Sequence, residues 1–169
     1  IFVFDKQMEK AEELKKDFDL NVMKSTEEVV ENSDIIILAV KPNIVKQVLE
    51  PCKSLFNGKK LLVSVAVGIP IKFYKDMLGE DRKIIRTMPN TPALVGEGMT
   101  LISYDNNIDE ADLNLVVSLF ETVGKVEVLD ENLMSEVTAL TSSSPAYVFM
   151  FIEAMADAAV LTGIPRNLA

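Results

Sequence analysis

Asp34-Ile35-Ile36-Ile37-Leu38-Ala39-Val40-Lys41-Pro42 decides the fold of this chain. The run from Ile35 to Val40 is continuous, rich in β-branched residues and too short for a helix. That is the pattern of a parallel strand covered on both faces, and Lys41-Pro42 stops it. Leu61-Leu62-Val63-Ser64-Val65 repeats the pattern and is closed by Gly68 and Pro70. Ile84 to Thr87 repeats it again before the two-proline loop Met88-Pro89-Asn90-Thr91-Pro92. Helical segments separate these strands: one capped by Asn43 through Leu49, a short one from Pro51, and Ile71 to Leu78. Working toward the amino terminus, Ile1 to Asp5 reads as a strand. In Lys6 to Phe18, the residues Met8, Ala11, Leu14 and Phe18 recur at helical spacing. Asn21-Val22-Met23 reads as a short strand and Thr26 to Glu31 as a short helix capped by Ser25 or Thr26. In the other direction, Met99 to Ser103 is a strand and Asp109 caps a helix carrying Leu113, Val116, Val117 and Phe120. Gly124 ends that helix and Val126 to Leu129 is a last strand. Strand and helix alternate throughout, so the expected fold is α/β, a doubly wound sheet with right-handed crossovers.

From Asp130 the pattern changes to helix alone, Glu131 to Leu140 and then Ser144 to about Leu161. The expected domains are therefore 1–129 and the start of a helical domain at 130–169. The second helix opens at Ser142-Ser143-Ser144-Pro145-Ala146-Tyr147. Serine caps free N–H groups and proline suits the first helical position, so a helix is expected to begin near Ser144. Its first N–H groups and the three hydroxyls would form a pocket receptive to a carboxylate or phosphate. Along the helix Tyr147, Met150, Phe151, Ala154, Met155 and Ala158 share a stripe. Glu153 and Asp157 lie on another face and read as a solvated edge.

Composition narrows the function classes. The formal charge of −9, with Lys and Arg scattered among more numerous acids, argues against nucleic acid. The apolar runs fall short of the 18 or so residues that cross a bilayer, so neither a membrane role nor a signal segment is expected, and the chain reads as cytoplasmic. There is no histidine. That removes histidine triads, most zinc sites and imidazole acid–base chemistry, and no metal site is expected. Cys52, the single cysteine, reads as a core residue.

In open α/β sheets ligands bind beyond the carboxyl ends of the strands, which here means the turns after Val40, Val65 and Thr87. No G-x-G-x-x-G turn is present. Asp5 nevertheless closes a strand roughly where a ribose-binding acid belongs, as in a chain that begins just after such a unit.

Four stretches carry a resemblance: Ala39-Val40-Lys41-Pro42, Ser64-Val65-Ala66-Val67-Gly68, Arg86-Thr87-Met88-Pro89-Asn90-Thr91-Pro92-Ala93, and Ser143-Ser144-Pro145-Ala146-Tyr147. Over nearly its whole length the chain resembles the pyrroline-5-carboxylate reductases, the last two stretches being the specific ones. The resemblance implies a Rossmann-like doubly wound sheet followed by the start of an all-helical dimerisation domain. It implies a homodimer or higher homo-oligomer through the helical region. Family members are longer. The sequence is therefore expected to be an internal fragment without the glycine-rich turn or the later helices, whose Ser-Pro-Gly-Gly-Thr segment helps hold substrate, and to be inactive by itself. Where the family usually has glycine, this chain has Ser142, which would be strained if that position takes a positive φ.

The activity so implied is reduction of 1-pyrroline-5-carboxylate to L-proline by NADPH or NADH, the last step of proline biosynthesis. A protonated cyclic imine accepts hydride without a strong enzymic acid, which suits a chain lacking histidine, and no catalytic side chain is expected. The resemblance places Ala39, Val40, Lys41 and Pro42 along the adenosine-to-pyrophosphate track, with Thr26 near the adenine. It places Ala66, Val67 and Gly68 beside the nicotinamide, and Asn90 against nicotinamide or substrate. Asp5 favours a ribose 2′-hydroxyl and Lys6 a 2′-phosphate, so the cofactor stays NAD(P)H. Ser143, Ser144, Pro145 and Ala146 are expected to hold the substrate carboxylate. Two other readings stand beside this one: a related NAD(P)-dependent hydroxyacid or imine reductase, and an inactive piece that binds only nucleotide or subunits.

Overall fold

The computed structural model describes residues 1–169. Strands β1 (Phe2–Val3) and β2 (Asn21–Val22) form a separate parallel pair. The main sheet holds β3 (Ile35–Leu38), β4 (Leu61–Ser64), β5 (Lys83–Met88), β6 (Gly98–Tyr104) and β7 (Gly124–Val128), in that order. Strands β3, β4 and β5 are parallel, with Leu38 opposite Ser64 and Ser64 opposite Arg86, so their carboxyl ends share one edge. Strand β6 runs antiparallel to β5, and β7 parallel to β6. The mixed sheet has a simple cause. The connection 89–97 holds only the 3₁₀ turn Thr91–Val95, too short for a parallel crossover, which takes a dozen or so residues.

Helices α1 (Met8–Asp17), α2 (Thr26–Glu31), α3 (Val45–Leu49), α4 (Ile71–Leu78) and α5 (Glu110–Glu121) connect the strands. Ser25 caps α2, its Oγ accepting from the Glu28 N–H at 3.3 Å while the Glu28 carboxylate accepts from the Lys24 N–H at 2.9 Å. Lys60 closes the other end of α2, donating to the carbonyls of Val30 and Ser33 at 2.7 and 2.6 Å. Asp109 caps α5 through the Asp112 N–H at 2.9 Å. Asn43, expected as a cap, lies instead inside the 3₁₀ turn Pro42–Ile44. Gly124 begins β7 rather than ending α5, whose cap is Thr122. A side chain cannot be added there: a Cβ on Gly124 would land on the backbone of Gly98.

Alternation along β4 builds two cores. Leu62 joins Ile36, Leu38, Val45, Leu49, Tyr74 and Ile84 on the α3–α4 side, while Leu61 and Val63 join Ile85, Ile102 and Val116 on the α5 side. Each such fully buried aliphatic side chain contributes about 1.5–3 kcal/mol relative to exposure. Strand β3 departs from the expectation of cover on both faces. Ile36 and Leu38 are buried, but Ile35 and Ile37 are 36% and 49% exposed. The α5-side core stops at β4, and β3 pairs with β4 alone. Cys52 is buried, and burial, with the Glu27 carboxylate, pushes its thiol up to about 11.

Residues 131–143 do not form the α-helix expected over Glu131–Leu140. They form a 3₁₀ turn (Glu131–Leu133), further turns, and a π-turn (Ala139–Ser143) that runs straight into helix α6 (Ser144–Leu161). The hydroxyls of Thr138 and Thr141 donate to the carbonyls of Met134 and Val137 at 2.8 and 3.1 Å, competing with a regular ladder. The continuous helix Ala139–Leu161 is long and apolar enough, by length and composition, to cross a membrane, with a window of mean hydropathy 1.4. No uninterrupted apolar run marks it in the sequence, because Glu153 and Asp157 punctuate the helix. Its apolar residues face solvent on every side, Phe149, Met150 and Phe151 each being more than 60% exposed. The expected stripe therefore belongs to no core within this chain. Asp157 pairs with Arg166 at 2.6 Å.

Candidate functional site

The turns after β3, β4 and β5 emerge side by side because those strands are parallel and in register. The first holds Ala39, Val40, Lys41 and Pro42; Val40 packs on the core while the other three are exposed. The second follows Ser64: Ala66 is buried, Val67 is half-exposed, and Gly68 turns the chain at φ 80°. The Thr87 hydroxyl donates to the Ser64 carbonyl at 3.1 Å, locking the ends of β4 and β5 together. Asp5 and Lys6 lie exposed after β1, and Asp5 Oδ1 accepts from the Gln7 N–H at 2.7 Å. Thr26 is the first residue of α2.

Asn90 joins this edge to the helical segment. Its Nδ2 donates to the Thr141 carbonyl at 2.8 Å and its Oδ1 accepts from the Met99 N–H at 2.8 Å. The need for the first bond is written four residues on from Thr141. Pro145 has no N–H, and its ring conflicts with the carbonyl one turn back, so the helix widens into the π-turn and the freed carbonyl takes Asn90 instead. An open cleft of about 440 Å³ lies between Asn90, Pro92 and Met99 on one side and Thr141, Ser144 and Pro145 on the other.

This geometry corrects the expected anion pocket. Helix α6 does begin at Ser144, as expected, but not with a free N-terminus: the π-turn runs into it, Ser143 is already in the helical region and makes no capping bond, and the Ser144 hydroxyl donates back to the Ala139 carbonyl at 3.1 Å. A Ser-Pro pair satisfies a cap and a proline-induced π-turn equally well, and only the contact with Asn90 separates them. Ser144 and Pro145 do line the cleft, with Ser143 and Ala146 beside them. Ser142 is unstrained, since no residue other than glycine has a positive φ; its Oγ is buried without a partner. Thr141 and Met99 were not singled out from the sequence, because nothing local marks them. Replacing Asn90 by Ala should remove both amide bonds and cost about 1–3 kcal/mol of stability by urea unfolding. A loss below about 0.5 kcal/mol would mean that the π-turn holds without it.

A family profile described as pyrroline-5-carboxylate reductase dimerisation matches residues 131–169. Another, described as NADP oxidoreductase coenzyme F420-dependent, matches residues 1–68. The pyrroline-5-carboxylate reductase of Escherichia coli (strain K12) is 45% identical over 169 residues, covering 100% of this chain and 63% of that protein. Over its whole length the chain is similar to the pyrroline-5-carboxylate reductases. The fold agrees with solved members. That of Coxiella burnetii superposes with a TM-score of 0.93 at 30% identity, over 99% of this chain and 63% of the other. The Plasmodium falciparum enzyme, solved with NADP bound, has a TM-score of 0.87 at 37% identity, over 99% and 61%. The chain thus spans less than two thirds of the length of these reductases, and its sheet is Rossmann-like as the resemblance implied.

Proposed function

We propose that the complete protein carrying this chain reduces 1-pyrroline-5-carboxylate to L-proline with NAD(P)H, in the cytoplasm, as the last step of proline biosynthesis. The observation that carries the reading is the Asn90 bridge: it seats the Ser143–Ala146 segment at the sheet edge where nucleotide turns converge. The names of relatives that match the whole chain support it.

Residues 1–129 form the dinucleotide-binding domain and 130–169 the start of the helical one. The turns fit a nicotinamide dinucleotide, because Ala39, Ala66 and Gly68 keep side-chain bulk away from the edge. Ala39, Val40, Lys41 and Pro42 would hold the adenosine-to-pyrophosphate part, with Thr26 near the adenine, and Ala66, Val67 and Gly68 the nicotinamide. Asp5 keeps Oδ2 free for a ribose hydroxyl, and the neighbouring Lys6 suits a 2′-phosphate. When bound, the nicotinamide supplies a hydride to the C=N carbon. The chain's own task is position. Ser143, whose hydroxyl makes no capping bond, donates to the substrate carboxylate, and Ser144 joins it by turning its hydroxyl away from the Ala139 carbonyl. Pro145 and Ala146 shape the wall beside them. Asn90 fixes that segment and faces the cleft. The imine nitrogen carries its own proton, so no side chain must deliver one. A second copy of the chain covers the apolar surface of α6, giving a homodimer or larger homo-oligomer.

The complete gene product should oxidise NAD(P)H with 1-pyrroline-5-carboxylate at least about tenfold more efficiently, in kcat/KM, than with a 3-oxo acid, a difference of about 1.4 kcal/mol in transition-state binding. Faster turnover of the oxo acid would move the protein to a hydroxyacid reaction.

A further inference from the structure

We propose that the buried hydroxyl pair Ser64 and Tyr74 positions the turn Val65–Gly68 and thereby sets the affinity for the nicotinamide cofactor; this rests on the function proposed above. Ser64 ends β4 and Tyr74 lies within α4, both at 0% exposure. Their side-chain oxygens are 2.6 Å apart. In a strand otherwise made of Leu61, Leu62 and Val63, a hydroxyl costs free energy unless it is bonded, and an apolar residue would fill the space without that cost.

The return on that cost is visible at Ala66. The Val65 N–H still donates across the sheet, to the Leu38 carbonyl at 3.2 Å, but beyond it the ladder has ended. The Ala66 N–H, buried at 2% residue exposure, donates instead to Ser64 Oγ at 3.2 Å. Without that oxygen a buried N–H would lack a partner, and the turn would shift to find one. Tyr74 acts one step further back, holding the Ser64 hydroxyl in the rotamer that faces Ala66. Val67 and Gly68 follow directly, where the chain presents itself to the sheet edge. Both hydroxyls are positioning groups: they act through the Ala66 backbone, and neither touches the cleft.

The test uses the complete gene product and NADPH, with binding read from nicotinamide fluorescence and turnover from imine-dependent oxidation. Ser64→Ala and Tyr74→Phe should each weaken NADPH binding about 5- to 20-fold, the range of one lost buried hydrogen bond. The KM for the imine, and kcat at saturating NADPH, should stay within about threefold, since uniform binding is what is lost. The double variant should bind NADPH no more weakly than Ser64→Ala, because Tyr74 acts through Ser64. If Ser64→Ala does not fold, Tyr74→Phe, which loses a single oxygen, decides alone. An active wild type whose Ser64→Ala variant, or Tyr74→Phe variant in that case, keeps full NADPH affinity overturns this inference and leaves the proposed function standing. Multiplicative effects in the double variant overturn the route through Ser64. A wild type that binds NADPH but reduces no imine overturns the proposed function alone, and one that binds no NADPH overturns both.

Discussion

Substituting Gly124 by Ala is expected to unfold the β6–β7 half of the sheet or to lower its stability by roughly 3–5 kcal/mol, summing backbone strain and overpacking. Two independent costs meet at this residue. Its φ of 148° lies where side chains are strained, and an added Cβ would fall on the backbone of Gly98, with which it pairs across the ladder. Gly98 is itself closely surrounded: its N–H donates to the Val123 carbonyl at 2.9 Å, and the position a Cβ would take on it lies only 2.8 Å from the Ala93 Cβ. Backbone therefore meets backbone, and no rotamer change relieves it. Gly163 supplies the control. It too has a positive φ, 99°, but nothing stands within 4 Å of the position a Cβ would take. Gly163→Ala should cost only the conformational part, about 1 kcal/mol. Urea unfolding monitored by circular dichroism separates the two. Equal, small losses would show that β6 and β7 can move apart.

Loss of Glu131 should be nearly as damaging. Its Oε1 accepts both from the Ile71 N–H at 2.7 Å, capping α4, and from Arg86 at 3.1 Å. The Arg86 side chain is only 7% exposed, against 29% for Glu131. Glu131→Ala leaves a guanidinium buried without a partner and a helix N-terminus uncapped. Removing one member of a fully buried pair costs about 3–5 kcal/mol. Water reaches the glutamate, so about 2–4 kcal/mol is the better expectation here. For a domain of this size that lowers the unfolding midpoint by roughly 4–16 °C. Glu131→Gln keeps an acceptor oxygen for both donors and should recover at least half of the loss. If Glu131→Ala melts with the wild type, this contact does not hold the helical segment to the sheet.

How much of this was legible in the sequence depends on the range of the determining contacts. Ile35–Val40, Leu61–Val65 and Ile84–Thr87 announced three strands because burial of neighbouring residues is itself a local pattern. The reversal at β6 was legible in principle from the short connection 89–97, but the alternation of elements suggested parallel strands throughout. Ser144-Pro145 misled because cap and π-turn share the same residues, and the deciding partner, Asn90, stands 51 positions from Thr141. Glu131 reaches Ile71 across 60 positions, and periodicity has no view of such a bond. The α6 residues read as apolar without saying against what, since a pattern marks a surface that seeks cover and not its partner.

The Asn90 bridge and the turns beside it would bring a nicotinamide hydride to the imine carbon, and isotope transfer follows that hydride. The complete gene product is incubated with 1-pyrroline-5-carboxylate and nicotinamide cofactor carrying deuterium at the transferable position of C4, and the proline formed is analysed by mass spectrometry and NMR. Proline with one deuterium at C5, the carbon of the former C=N bond, should form in step with cofactor oxidation. Cofactor oxidation without labelled proline, or no oxidation in the presence of the imine, would contradict that delivery.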